Sequence, residues 1–546
     1  MDTLDGTSWD VIISGTGLQQ SLLALALSRS DKKVLHIDKN GFYGGSEAAF
    51  SLQEAEEWAQ RLEQGVPSPT FGNTNISKPS PEEASNDTPN LSFSRAYSLA
   101  LAPQIIYSRS AVLQALISSK VYRQLEFQAV GNWYIYQPPL SPDDADTSPA
   151  TEPDTPQSTP KATLSKVPNG REDIFASPTI SLRSKRSLMN FLRFVADYES
   201  HPEQYTSHLT QPLPEFLIDQ YRIPAELHQP LLALALSPNA SQNTTVEYAL
   251  PRIARHLRST GVFGPGFGAV VPKWGGLAEI AQVACRAGAV GGTTYVLKKG
   301  IEKIDGDVRE QETGISVTLD GGELVAAKWI VGGVEDLPVT ESSESDTSGS
   351  GVEAGSLMRS ISIVASPMVS LLPPVAESAP TPAAAIVVFP PCSLSGVAQG
   401  VSINQEVPVH VVIHSSDTGE CPSGQVVLYT STRTAGNEGR VLLKNAIEHL
   451  LEATEEPTPK VLWSMTYEQH GSRAATVNGV AEGSAALISD RILRLPPASL
   501  DLALDDSTLE DVQIVWRKIM GDEAEGFMSF EDRQGETFDD EGGDGV

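Results

Sequence analysis

Two glycines, a glutamine and an aspartate near the start of the chain pose its first chemical question. Gly15 and Gly17 flank Thr16 directly after the apolar run Asp10 to Ser14, and Asp38 closes a second apolar run, Val34 to Ile37. Glycines so placed let a backbone turn tightly against a pyrophosphate, and an acid about 20 positions on takes a ribose hydroxyl. The third glycine of that fingerprint is missing, because Gln20 stands in its place and its side chain fills space that a phosphate needs. The residues describe a dinucleotide-type turn whose ligand position is obstructed, and no cofactor is expected there. Other candidate chemistry is thin. His410 and His414 share one face of a strand-like run with no carboxylate or cysteine beside them in sequence, so no metal is expected. Cys285, Cys392 and Cys421 show neither CxxC nor Cys/His spacing, which argues against zinc and against a disulfide framework and fits a reducing, cytoplasmic setting. No Ser/His/Asp or paired-carboxylate arrangement is recognisable, so no catalytic residue is assigned.

The elements that position these residues read as an α/β chain with a Rossmann-type βαβ opening. Leu18, Leu22 and Leu25 line one face of a helix spanning Leu18 to Ser30, between the strands Asp10 to Ser14 and Val34 to Ile37. Helical spacing recurs in Ser46 to Gly65, Ala111 to Ser119, Arg186 to Tyr198, Pro214 to Tyr221, Ala225 to Ser237, Val246 to Arg258, Leu277 to Ala289 and Val441 to Ala453. A last helix is announced by Ser507-Thr-Leu-Glu510, a capping box. Strand-like runs are Leu125 to Tyr136, Thr294 to Leu297, Ile315 to Leu319, Glu323 to Val331, Ser360 to Leu372, Ala383 to Phe389, Val409 to His414, Val426 to Thr430 and Val461 to Tyr467. The organisation expected is a larger α/β domain in three parts, 1–136, 261–335 and 356–520, interrupted by a smaller all-helical domain at 181–260. Segments rich in Pro, Ser, Thr and Asp bury too little apolar surface to order themselves, so 67–90 is expected as a mobile insert, 137–180 as a disordered insertion, 336–355 as an acidic loop and 521–546 as a disordered acidic tail.

Composition restricts the partners. The chain has 39 Lys and Arg against 69 Asp and Glu, a formal charge of -30, and both nucleic acid and anionic lipid require the opposite balance. Protein partners are expected. The early apolar run, Val11 to Ile13, is too short for a signal peptide, and no stretch is long enough to span a bilayer. Any membrane contact is then peripheral and transient.

The run DVIISGTGLQQSLLALALSRSDKKVLHIDKNGFYGG, with Ser-Arg-Ser before its second strand and Tyr-Gly-Gly after it, resembles the opening of the family of Rab GDP-dissociation inhibitors and Rab escort proteins. YSRSAVLQALISSKVYRQLEF, SKRSLMNFLRFVADYE and AEIAQVACRAGAVGGTTYVL resemble further stretches of that family, in the same order. The long inserts, EDIFASPTISLRSKRSLM and VLWSMTYEQHG are similar to the escort branch. The resemblance implies a flavin-monooxygenase-like multi-sheet fold without flavin. It implies a non-catalytic accessory component that binds unprenylated Rab GTPases in their GDP form. Such a protein presents them to the Rab geranylgeranyltransferase heterodimer and delivers the geranylgeranylated product to membranes. Two alternatives stand beside it: a dissociation inhibitor that recycles prenylated Rabs, and an FAD-dependent oxidoreductase of the same fold.

Carried over position by position, the resemblance implies Rab-binding roles for Tyr43, in the Tyr-Gly-Gly stretch, and for Glu279 and Arg286, which lie two turns apart on one helix. Around them Trp274-Gly275-Gly276 replaces a Tyr-Gly-x-Gly-Glu run, and one residue is missing between Arg286 and Gly291. The helical unit, 184–258, has apolar faces suited to a lipid groove. Arg252, Arg255 and Arg258 form a basic strip on an acidic chain, from which Arg255 and Arg258 are expected as the transferase-docking residues.

Overall fold

Val11, Ile12 and Ile13 are fully buried in a strand, Ser8–Ser14, that runs straight into Gly15. Gly15 has φ +90°, a conformation that side-chain-bearing residues rarely adopt, and it turns the chain into helix α1, Leu18–Leu27. The computed structural model that shows this describes residues 4–79, 90–139, 161–168, 174, 180–305, 314–338, 355–398, 401–454, 457–471, 475–477, 480–482, 486–489 and 491–531. Every residue of α1 except Gln19 is buried.

The other α-helices described in full are α2 (Leu52–Glu63), α3 (Ala111–Ser118), α4 (Leu182–Ala196), α5 (Leu213–Tyr221), α6 (His228–Ala235), α7 (Val246–Ser259), α8 (Leu277–Val290), α9 (Gly436–Thr454) and α10 (Ser507–Met520). Two large sheets organise them. In the first, Ser8–Ser14 lies between Val34–Asp38 and Leu324–Gly332, parallel to both, and Thr294–Leu297 adds a parallel strand outside Val34–Asp38. Ile315–Leu319 and Ile301–Asp305 extend the other side as an antiparallel meander. Helices α8 and α10 pack on α1, so the βαβ opening is enclosed by the chain's own later segments.

The second sheet is mainly antiparallel and runs from Phe71–Ser77 through Val461–His470, Ser356–Val364, Val426–Thr432, Val409–Ser415, Ala384–Phe389 and Phe127–Gln137 to Ala269–Pro272 and Ile106–Tyr107. Helices α4 to α7 cover one of its faces. Phe191, Phe216, Leu250 and Ile253 of the helices belong to the same buried cluster as Val130, Trp133, Ile386 and Trp463 of the sheet. The helical unit therefore shares a core with the sheet.

Several elements differ from expectation for identifiable reasons. Phe71–Ser77, inside the 67–90 segment expected as a mobile insert, is an edge strand antiparallel to Val461–His470, and Phe71 packs edge-on against Trp58 and Tyr467. Thr163–Lys166, inside the expected disordered insertion 137–180, pairs with Phe127–Gln137, and Val167 and Ile174 are buried against the helices. In the 521–546 tail, Met528 is buried and Phe527 and Phe530 pack beside Trp516 and Arg29. Backbone pairing and a few large side chains order these pieces despite their polar composition. Positions 80–89, 140–160, 339–354 and 532–546 of the same four segments lie outside the described residues.

Caps also move. The capping box is made by Ser51 and Glu54 at α2, whereas Ser507 and Glu510 make none. Asp506, just before α10, caps a different helix: its Oδ1 accepts the Ser110 hydroxyl at 2.7 Å and the Ala111 N–H at 3.0 Å, at the start of α3. Asp506→Ala should therefore cost about 1 kcal/mol and lower the thermal unfolding midpoint, with Asp506→Asn close to wild type; an unchanged midpoint in the alanine variant would contradict this account.

Candidate functional site

The N-terminus of α1 is the natural starting point, because its first N–H groups have no partner inside the helix and carry the positive end of the helix dipole. Gly17 precedes the helix and offers no side-chain cap. The acceptor comes from further along the chain: the Leu18 N–H points to Glu47 Oε2 at 3.5 Å, and Glu47 is buried. A second carboxyl, that of Asp336, stands over Gly15, where a Cβ would fall 2.2 Å from Oδ2. Asp336 Oδ2 accepts from Gln20 Nε2 at 3.1 Å and from the Gly333 N–H at 3.2 Å. A Cβ on Gly17 would meet Gln20 Oε1 at 2.8 Å and Glu47 Oε2 at 3.3 Å. The backbone approach that glycines open to a pyrophosphate is thus taken up by two carboxyls and an amide of this chain.

Asp38 is equally committed. Its Oδ2 accepts the Thr16 N–H at 2.8 Å and the Thr16 hydroxyl at 2.6 Å, and its Oδ1 accepts the Asn40 N–H at 2.7 Å. It is buried, with no face left for a ribose. The residues present do not fit a dinucleotide: the phosphate position is filled, and the acids around it would repel an anion. Gln20 obstructs together with Asp336 and Glu47, which sequence reading missed. Both come from outside the fingerprint, and Asp336 had been grouped with an acidic loop. The one signal available was an acid two residues after Gly44-Gly45.

The same turn holds the Tyr43 loop. Gly44 N–H donates to the Thr16 carbonyl at 3.1 Å and to Thr16 Oγ1 at 3.2 Å, and Glu47 N–H donates back to the Gly44 carbonyl at 2.8 Å. Gly44 and Gly45 have φ +100° and +52°, which a side chain would make costly. Tyr43 is half-buried at the surface, and burial raises its phenol above the usual range while the Arg286 charge opposes the rise. Glu279, half-buried, is also raised by burial and lowered by Arg286. The structure thus brings Tyr43, Glu279 and Arg286 into one electrostatic group at the edge of the filled cradle, with Arg286 exposed between the other two influences. Cys285, the preceding residue on α8, is buried and donates to Ser21 of α1 at 3.3 Å. Trp274, in the loop before α8, is exposed, has φ +60° and packs against Gly419.

Arg255 and Arg258 are placed differently. The strip on α7 is neutralised by this chain: Arg252 pairs with Asp501, Arg258 with Glu199, and Arg255 lies 3.9 and 3.8 Å from Asp505 and Asp506 while donating to the Leu504 carbonyl at 3.1 Å. These cations clamp α7 to the 501–506 segment and to the end of α4, and they do not form an open basic surface. Arg183, Arg186 and Arg193 on α4 are exposed and have no ion pair among the described residues. His414 has a carboxylate after all, because its Nδ1 lies 2.8 Å from Glu420, which also accepts the Tyr429 hydroxyl at 2.8 Å. Among the described residues no group of three or more His, Cys, Asp and Glu could hold a metal ion. His410, buried in the same strand, is pushed down to about 4 by burial.

The helical unit contains a small apolar cleft with a free volume of about 20 Å³. Leu188 and Leu192 of α4, Leu231 and Leu234 of α6 and Leu257 of α7 line it, and Val167 closes one wall. That is room for about one water molecule, so a lipid chain enters only if the lining helices part.

Burial pushes the Glu47 carboxyl up to about 7, and burial together with the charge of Asp38 pushes Asp336 up to about 7. A carboxyl whose pKa is raised on folding binds more protons in the folded state, so its contribution to stability is present at low pH and is lost as pH rises through 7. The buried histidines His36, His256 and His410, held near 4, act in the opposite sense only below their unfolded value of 6.5. The thermal midpoint should therefore rise as pH is lowered from 8 to 6.5. Glu47→Gln combined with Asp336→Asn should flatten that slope, and a double variant with the wild-type slope would refute the assignment.

The description of the GDP dissociation inhibitor family matches residues 4–461. Rab proteins geranylgeranyltransferase component A of Saccharomyces cerevisiae is 28% identical over 440 residues, covering 80% of this chain and 64% of that protein, so the chain spans less than two thirds of this relative's length. A crystal structure of Rab GDI from Plasmodium falciparum superposes with a TM-score of 0.59 at 18% identity, covering 94% of this chain and 99% of that one. An oxidoreductase from Methanosarcina mazei superposes with a TM-score of 0.53 at 11% identity, over 93% and 99% of the two chains. These two likenesses concern the fold, the one on which the first sheet places a dinucleotide-type turn. The family match spans the helical unit and most strands of both sheets, and the chain belongs to the GDP dissociation inhibitor family.

Proposed function

We propose that this chain is an escort for Rab GTPases: a non-catalytic accessory component that binds the unprenylated GDP form, presents it to Rab geranylgeranyltransferase and carries the lipidated product to membranes from the cytoplasm. The observation that carries the reading is the pairing of a filled cofactor cradle with the half-buried Tyr43 and Glu279 and the exposed Arg286 on its rim. A fold that has lost its cofactor site and keeps a charged, aromatic edge is suited to holding another protein. Its relative's name, geranylgeranyltransferase component A, supports the accessory role.

The apolar cleft supports lipid carriage. A geranylgeranyl chain of 20 carbons left in water would cost on the order of 10 kcal/mol or more at ~0.8 kcal/mol per methylene. The cleft between α4, α6 and α7 offers the lipid an apolar wall, and no helix among the described residues is long and apolar enough to cross a membrane. For the transferase contact, the exposed arginines of α4 take the place that Arg255 and Arg258 were expected to fill. An acidic protein that docks a second protein through cations needs ones that its own carboxylates have not neutralised.

The deciding assay adds the purified chain to a Rab geranylgeranyltransferase heterodimer and an unprenylated Rab with C-terminal cysteines. Lipid incorporation should rise strongly, whereas a dissociation inhibitor would give no stimulation. Tyr43→Ala and Arg286→Glu should each weaken binding of GDP-loaded Rab about tenfold or more, as removal of a central interface anchor does. Leu192→Trp, which fills the cleft, should weaken binding of geranylgeranylated Rab and leave unprenylated Rab unaffected; equal effects on both would place the lipid elsewhere.

A further inference from the structure

We propose that the former cofactor cradle has become the device that positions the partner-binding loop, with Glu47 and the Asp38–Thr16 pair as its positioning residues. The inference rests on the reading of Tyr43 as a Rab contact. Three observations carry it. The loop after Asp38 crosses directly over the glycine turn, where a Cβ on Gly45 would lie 3.5 Å from the Gly17 backbone. Its two anchors are residues of the dinucleotide motif itself: Thr16, which takes the Gly44 N–H on both its carbonyl and its hydroxyl, and the Leu18 N–H at the start of α1, which faces Glu47. Asp38, the acid that the motif reserves for a ribose, instead fixes the rotamer of Thr16 by accepting its hydroxyl hydrogen bond at 2.6 Å.

The geometry explains why an acid stands at position 47. A helix N-terminus with no side-chain cap attracts a negative charge, and in a nucleotide-binding relative of this fold that charge belongs to the ligand. Here it belongs to the first turn after Tyr43-Gly44-Gly45, Gly45–Glu47, so satisfying the helix also closes the loop. Gly44 and Gly45, at positive φ, let the chain reverse in the space between Tyr43 and Glu47. Glu47 reaches inward and Tyr43 stays half-buried at the rim near Arg286, so the two residues are the inner and outer ends of one short turn.

The test is equilibrium binding of GDP-loaded, unprenylated Rab to the full chain, read beside the thermal midpoint of each variant. Glu47→Ala should weaken binding about tenfold, because the loop loses its inner anchor. Glu47→Gln, whose amide oxygen still accepts from Leu18, should restore affinity to near wild type. Thr16→Val should weaken binding in the same direction as Glu47→Ala. Asp506→Ala, which destabilises the fold at α3 without touching this turn, serves as the stability control and should bind as wild type. Wild-type affinity in both Glu47→Ala and Thr16→Val, with Tyr43→Ala impaired, would overturn the positioning role while leaving the Rab site in place. Wild-type affinity in Tyr43→Ala would overturn the Rab-site reading as well. Loss of affinity in Glu47→Gln equal to that in Glu47→Ala would also refute the hydrogen-bond anchor.

Discussion

The positive end of α1 is the constraint on which the rest of this structure turns. Four backbone N–H groups at the start of a helix need acceptors, and here the helix is buried between α8, α10 and the first sheet, out of reach of bulk water. An enzyme of this fold can leave the place open for a phosphate. This chain closes it with Glu47 and braces the adjacent turn with Asp336 and Gln20. Burying several acids together is costly, and the upward shifts of Glu47 and Asp336 to about 7 express that cost. The helix dipole and the hydrogen bonds from Leu18, Gly333 and Gln20 offset part of it.

From that closure the outer surface follows. The Tyr43 loop lies over the turn, α8 packs Cys285 on α1, and the adjoining face of α8 presents Glu279 and Arg286 beside the loop. The helical unit is tied to the same body through two separate contacts. Its apolar residues merge with those of the second sheet around Trp133, and its arginines on α7 reach the 501–506 segment. A cleft within such a unit can change shape by a shift of α6 while α7 and the end of α4 stay fixed, since Arg258 ties those two together.

How much of this was legible in the sequence depended on how far apart the interacting residues lie. The βαβ opening and the obstruction at Gln20 could be read because strand, turn, helix and acid are contiguous, and their period and spacing are local facts. Glu47 and Asp336 could not be recognised as fillers, since nothing local says that an acid 29 or 316 positions from its partner will fold onto a helix terminus. The ion pairs of the α7 arginines were hidden for the same reason: Asp501, Asp505 and Asp506 are distant in sequence, and a run of positive charge reads as open until its partners are placed. Phe71–Ser77 and Thr163–Lys166 were hidden in polar composition, where an edge strand needs only backbone partners and one or two apolar side chains.

Charge gives the last step. A chain at -30 repels other acidic surfaces, so its cations matter more than their number suggests. Most of those near the helical unit's junction are spent on internal pairs, which hold two segments in register and add little to the surface field. Arg286, beside an aromatic ring and a half-buried acid, and the exposed arginines of α4 remain outward. Two separate positive points on a negative body can engage two different acidic partners at once, each oriented by the repulsion around it. That is the electrostatic arrangement a protein needs if it must hold one partner while handing it to another.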